Sequence, residues 1–338
     1  MTWLALDIGG ANLKAADGLG FALARPFALW RRPEQLAAQL RQFIGEAPPA
    51  SRIAVTMTGE LADCYPTKAE GVRSILEALD EAAAGRRLAV YRVDGRFVPP
   101  DEARQQPLRA AASNWRALAA FANRFAAAWP ALLLDLGSTT ADVIPLDPHG
   151  PCTAAQTDVD RLLSGELVYT GVERTPVAAV VRTLPFRGRP CPVAAEFFAT
   201  AADAYLLLGD LPAAPADCDT ADGQPRTLPA AHARMARMFC GDAELVSRQE
   251  AITAAAAVRD AQLSLLESAL RQVAARLAGT PRTVIISGHG EFLLRRLLER
   301  TFPDAVVLSL KDELGAAVSR CASAHALAVL AREGFGKD

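Results

Sequence analysis

The sequence predicts an α/β chain folded as two similar lobes around a cleft. Three observations carry this expectation. An acidic turn occurs twice, as Leu6-Asp7-Ile8-Gly9-Gly10-Ala11-Asn12 and as Leu134-Asp135-Leu136-Gly137-Ser138-Thr139-Thr140. Strand-length apolar runs alternate with segments of helical spacing. The length of 338 residues exceeds what one hydrophobic core ordinarily holds. A composition of 51% hydrophobic and 22% charged residues excludes a disordered or fibrous chain. With 36 Lys and Arg against 38 Asp and Glu, the net charge of -2 offers no basic excess for nucleic acid or an anionic membrane. The expected partners are therefore small molecules recognised locally; oligomeric state is left open.

Taken in order, Trp3 to Leu6 is an apolar run of strand length, and Asp7 ends it before a glycine turn that reverses the chain. Leu36, Leu40, Phe43 and Ile44 share one helix face, Ile53 to Met57 forms a strand, and Val72, Ile75, Leu76 and Leu79 return to helical spacing. A helical segment from Trp115 to Ala128 stops at Trp129-Pro130, which sets lobes of 1–129 and 130–338. Ala131 to Leu134 opens the second hairpin. The Pro-, Asp- and Ala-rich stretch 209–229 reads as an irregular surface insert or a lid. Beyond Asp242, Leu263, Leu266, Leu270, Val273 and Leu277 line one face of a long helix that Gly279 and Pro281 stop. Thr283 to Ile286 is a buried strand, Ser287-Gly288-His289-Gly290 a glycine-rich turn, and Phe292, Leu293, Leu297 and Leu298 the face of a following helix. The opening MTWLALDIGG carries an acid within its apolar run and no basic segment before it, so it reads as a core strand rather than a signal peptide. No CxxC pair occurs among the six cysteines, and no apolar run is long enough to span a bilayer, so a reduced, cytoplasmic protein is expected.

Backbone N–H groups of a glycine-containing turn converge on an anionic oxygen, and a carboxylate at the adjoining strand end holds a magnesium ion or its water shell. Two such half-sites facing each other would grip a polyphosphate. The phosphate-binding candidates are Gly9, Gly10, Asn12 and Lys14 on the first turn, Gly137, Ser138, Thr139 and Thr140 on the second, and Gly288 and Gly290 on the third. Asp7, Asp135 and Asp142 are the candidates for Mg²⁺. Only four lysines occur, so Lys14 and Lys68 stand out. A further set, Cys191, Asp203, Asp219, Asp222, Cys240 and Asp242, could assemble a second metal site, although no ligand spacing compels it.

DIGGANLK, DLGSTTAD and SGHG, in that order, resemble the paired phosphate hairpins and later glycine turn of the sugar kinase, Hsp70 and actin superfamily. The nearest resemblance is to its hydantoinase and oxoprolinase-like branch. It spans most of the chain and implies two RNase H-like (actin-like ATPase) domains around a central cleft. MTGELADCYPTKAEGV, AASNW, SGELVYTGVERTPV, RPCPVAAEFFAT and ISGHGEF resemble a group linked to tetrahydromethanopterin-dependent one-carbon metabolism and methanofuran assembly. That resemblance implies a transferase that condenses an aminomethylfuran diphosphate with the phenol of a tyramine- or tyrosine-derived acceptor, forming an aryl ether and releasing pyrophosphate. Asp7 and Asp135 would then be catalytic through the metal, and Glu60, His289 or a less obvious carboxylate would take the phenol proton, with Glu60 favoured. Thr58 and Glu60 directly follow an apolar strand, where α/β ligands collect. Lys68 would bind diphosphate or an acceptor carboxylate, or else form a surface ion pair. Asn114 is a substrate contact or a helix cap, and Arg174 a partner for an anionic substrate group. His289 departs from the roomy adenine slot of kinases, which puts ATP binding in doubt. The competing expectations are an ATP-dependent kinase or oxoprolinase-like enzyme and a nucleotide-responsive assembly protein.

Overall fold

In the computed structural model, which describes residues 2–335, the first lobe is built on strands β1 (Trp3–Ile8), β2 (Asn12–Ala16), β3 (Ala22–Pro26), β4 (Arg52–Met57), β5 (Arg87–Tyr91) and β6 (Phe97–Val98). They lie in the order β3-β2-β1-β4-β5-β6, with β1 antiparallel to β2 and parallel to β4. The second lobe uses β7 (Ala131–Leu136), β8 (Ala141–Asp147), β9 (Gly150–Pro151) and β10 (Leu167–Val168). A separate hairpin, β11 (Thr183–Phe186) with β12 (Arg189–Pro192), stands outside its sheet; β13 (Thr283–Ser287) and β14 (Val306–Ser309) complete it in the order β10-β8-β7-β13-β14. In both sheets an antiparallel hairpin is followed across the sheet by strands parallel to its first member. This duplicated topology is the RNase H-like arrangement.

Alternation along the central strands places the two candidate acids. Leu4, Leu6 and Ile8 of β1 pack outward against the helices Leu36–Gly45 and Lys68–Ala83. Trp3 and Ala5 face the other way, onto a layer made of the helices Asn114–Ala122 and Ala322–Phe335. Asp7 shares the parity of Trp3 and Ala5, so it points toward the middle of the molecule. The second sheet repeats the pattern. Leu132, Leu134 and Leu136 pack outward on the helices Arg248–Ala274 and Glu291–Thr301, while Ala131 and Leu133 face the same central helices. Asp135 therefore points inward as well.

The helix Ala322–Phe335 packs against both sheets. It follows the second sheet in sequence but packs Leu327, Ala328 and Ala331 against Trp3, Ala5 and Ala54 of the first, while Ala326 and Val329 meet the core of the second. Small residues permit this close double packing. The stretch 209–227 contains no helix or named strand, and the helix Leu228–Arg237 starts within the last two residues assigned to the insert. No helix among the described residues is long and apolar enough to cross a membrane.

Candidate active site between two acidic hairpins

The two hairpins close identically. Gly9 N–H donates to Asn12 O and Gly137 N–H to Thr140 O, each at 2.9 Å. In register, Asp7 stands opposite Lys14, and Asp135 opposite Asp142. The equivalent of Lys14 is thus an acid, and that difference gives the two hairpins different charge.

A cavity of about 520 Å³ lies between the hairpins. Asp7, Gly9, Gly10, Asn12 and Lys14 line it from the first lobe, as do Thr58, Glu60 and Asn114; Asp135, Gly137, Ser138, Thr139, Thr140, Asp142 and Arg174 line it from the second. A smaller cavity of about 260 Å³ adjoins it and shares Asn12, Lys14, Asp135, Gly137 and Ser138. Gly288 and His289 line only the smaller one. On that side His289 Nδ1 lies 3.0 Å from Glu173 Oε1. Gly290 lines neither cavity. Its N–H donates to Leu136 O at 2.9 Å, and a Cβ there would fall 2.3 Å from the Leu136 side chain. Gly288, at φ +92°, would bring a Cβ 2.3 Å from Leu136 O. These glycines let the third turn press against β7.

Asp7 is buried, and its Oδ1 has no hydrogen-bond partner. Burial raises its pKa, with Lys14 opposing. Asp135 is pushed up to about 6, first by desolvation and then by Asp142, with Ser287, Lys14 and His289 opposing. Glu60 is 1% exposed, its Oε2 also lacks a partner, and desolvation carries its pKa to about 7 against the smaller pull of its backbone and Lys68. A carboxyl poised there exchanges a proton near neutrality.

Of the carboxylates expected to hold Mg²⁺, Asp142 already takes part in an ion pair. Arg161 pairs with its carboxylate and stacks 4.4 Å over the Trp115 ring, so that oxygen is already committed. No group of three or more His, Cys, Asp or Glu side chains among the described residues is gathered to hold a metal, which also removes the Cys and Asp set of the second lobe. There Asp203 and Asp222 instead neutralise the fully buried Arg234. Asp7 and Asp135 remain as oxygen donors on one cavity. Such a pair suits Mg²⁺, which takes one or two carboxylates and completes its shell with phosphate oxygens and water.

Lys68 lies outside the cavity wall and makes an ion pair across the lobes, Nζ to Asp158 Oδ2 at 2.5 Å. Lys68 lowers the Glu60 pKa and Asp158 raises it. Lys68→Met should therefore raise the Glu60 titration midpoint and Asp158→Asn should lower it, as read from the carboxyl infrared band; shifts of one sign for both would contradict this arrangement. Asn114 is the first residue of its helix, and its Oδ1 accepts from Trp115 N–H at 2.8 Å; Ser113 precedes it as the cap.

Several wall residues carry no sequence signal of their own. Trp30, Asp158, Arg161 and Tyr169 reach the cavity from loops or short helices far apart in the chain. Gly171 shows why the segment after β10 belongs there. A Cβ at Gly171 would lie 2.3 Å from Ser138 C and Thr139 N, and Val172, Glu173 and Arg174 donate backbone N–H groups to the same hairpin's carbonyls. Gly171→Ala should destabilise the fold by about 1–3 kcal/mol in a urea titration, because backbone must move to admit the methyl. An unchanged midpoint would mean that the contact yields freely.

Residues 52–325 match the family model described as hydantoinase/oxoprolinase. A protein of Methanocaldococcus jannaschii named (4-{4-[2-(gamma-L-glutamylamino)ethyl]phenoxymethyl}furan-2-yl)methanamine synthase is 33% identical over 337 residues, covering 99% of this chain and 98% of its own. A Methanococcus vannielii protein of the same name is 28% identical over 201 residues, 59% of this chain and 89% of its own. Among solved structures, the activator of 2-hydroxyisocaproyl-CoA dehydratase from Clostridium difficile, with bound ADPNP, aligns at TM-score 0.45 and 12% identity over 100% of this chain and 96% of that one. The family match over most of the chain and the full-length relative establish that this chain belongs to the hydantoinase/oxoprolinase family.

Proposed function

We propose that the chain is a transferase of methanofuran-type cofactor assembly, joining an aminomethylfuran diphosphate to the phenol of a tyramine- or tyrosine-derived acceptor. The observation that carries this reading is the sharing of one cavity by both hairpins and by Glu60, so that a diphosphate grip and a near-neutral proton acceptor face the same space. The name of the full-length relative, a phenoxymethylfuran synthase, supplies the kind of bond that such a space would make.

In this reading the furan stabilises positive charge on its attached methylene as the bond to the diphosphate oxygen breaks, and the electron pair leaves with pyrophosphate. Backbone N–H groups of the two hairpin turns and the Lys14 ammonium orient the leaving group. Held by Asp7 and Asp135, Mg²⁺ would supply positive charge against it. The phenol oxygen forms the new bond to the methylene, and its proton passes to the Glu60 carboxylate.

The test is a reaction of purified protein, Mg²⁺, the furan diphosphate and tyramine, tyrosine or γ-glutamyltyramine, without nucleotide. Ether and pyrophosphate in equal amounts are expected. No ether with any acceptor, together with stabilisation by ATP but not by pyrophosphate, would replace this reading with a nucleotide-dependent one.

A further inference from the structure

The two cavities meet at the hairpins and differ in what lies beyond them. Asn12, Lys14, Asp135, Gly137, Ser138 and Ser323 line both, so a group held there borders each chamber. On the larger side the wall continues through Trp30, Glu60, Leu61 and Tyr169. On the smaller side it continues through Glu173, His289, Ser319 and Arg320, none of which lines the larger cavity. Glu173 is already engaged there by His289, and its Oε2 lies 3.8 Å from Arg226 Nη1. The other acid of this wall, Asp135, is the one assigned to Mg²⁺. Arg320 is exposed and, like Lys14, makes no ion pair among the described residues. Ala322 and Ser323, which open the 14-residue last helix, line the smaller cavity as well, and the first N–H groups of a helix have no carbonyl partner within it. Two unpaired cations and the positive end of a helix thus border one small space.

We infer that the smaller cavity is the departure site of inorganic pyrophosphate, with Arg320 as the cation that receives it, while the furan and the phenol occupy the larger cavity. The inference rests on the proposed ether-forming reaction and deepens it. When the bond from methylene to oxygen breaks, the electron pair stays on the diphosphate oxygen and the leaving group gains a negative charge, so its attraction to a nearby cation strengthens at that moment. The new ether stands on the larger side, which leaves the smaller cavity as the way out past the hairpins. The guanidinium fork of Arg320 matches phosphate oxygens, and its exposed position passes the anion on to water. A cation that meets the product and not the reactant favours departure without tightening the grip on the substrate.

The test compares inorganic pyrophosphate with the furan diphosphate, each titrated calorimetrically into the full chain with Mg²⁺ and without acceptor, and adds ADP as a third ligand. Arg320→Met should weaken pyrophosphate about 10- to 100-fold and leave the furan diphosphate within about threefold of wild type. Arg320→Lys should recover part of the loss, since the charge is kept and the fork is not. In turnover, pyrophosphate should inhibit Arg320→Met correspondingly less than wild type. Equal losses for both diphosphates would make Arg320 part of the grip on the substrate and overturn a separate departure site. Pyrophosphate binding within threefold of wild type in Arg320→Met would overturn it too. ADP binding as tightly as pyrophosphate, with the same dependence on Arg320, would make the cavity a nucleotide site instead. Since calorimetry needs no turnover, a protein that binds pyrophosphate through Arg320 but makes no ether would retain the anion site while the proposed reaction fails.

Discussion

Replacing Glu60 with glutamine is expected to cut ether formation by roughly 100- to 10,000-fold, the range for loss of a positioned general base, and to change how stability depends on pH. The sign follows from the raised pKa. Below about 4.5 the carboxyl is protonated in folded and unfolded chains alike, and burial costs no charge. Between there and about 7 the unfolded chain gives up its proton while the folded one retains it, so stability falls as pH rises. Above that window the full penalty, about 3 kcal/mol, persists. Glu60→Gln lacks this loss. Its stability relative to wild type should therefore improve by about 3 kcal/mol between roughly pH 4 and pH 8, in urea titrations run at both ends. A difference that stays flat across the window would mean that Glu60 ionises as an exposed carboxylate does, and it could not then serve as a base tuned by burial.

Asp7→Asn is the second substitution with a large expected effect. The carboxylate is buried with one oxygen unpartnered, and burial opposes its charge, so removing the charge relieves the folded state. The variant should fold and melt no lower than wild type, yet lose about 100- to 1,000-fold in turnover, comparable to removal of one oriented electrostatic group. The Mg²⁺ concentration needed for half-maximal rate should rise with it. Asp142→Asn should not raise that concentration, because Asp142 is committed to Arg161. If the two variants responded to Mg²⁺ alike, the distinction drawn between these acids would be wrong.

The paired hairpins were legible because their chemistry is local. A strand of apolar residues, one acid near its end and small residues in the turn are contiguous at both Asp7 and Asp135, and the parity of each strand then aims the acid inward. Glu60 was legible for a similar reason, since it closely follows a buried strand. What escaped the sequence depends on residues distant in the chain. That Asp142 is neutralised follows from Arg161 on a later helix. That Gly288 and Gly290 serve packing follows from the backbone of β7 passing beneath them. Trp30 gains a place at the site only because its loop meets Arg174 of the other lobe, whose guanidinium lies 4.9 Å from the ring centroid. The return of the last helix to the first sheet left no local mark either, because a helix rich in alanine fits beside almost any apolar neighbour.

That last helix has a consequence for how the enzyme moves. Both sheets rest on Asn114–Ala122 and Ala322–Phe335, so the halves of the molecule share a spindle instead of meeting at a bare seam. Rotation about such a spindle would swing the loops bearing Trp30 and Arg174 apart while disturbing little of the apolar packing below them. Substrates could then enter from the rim, and the innermost layer would stay dry through every turnover.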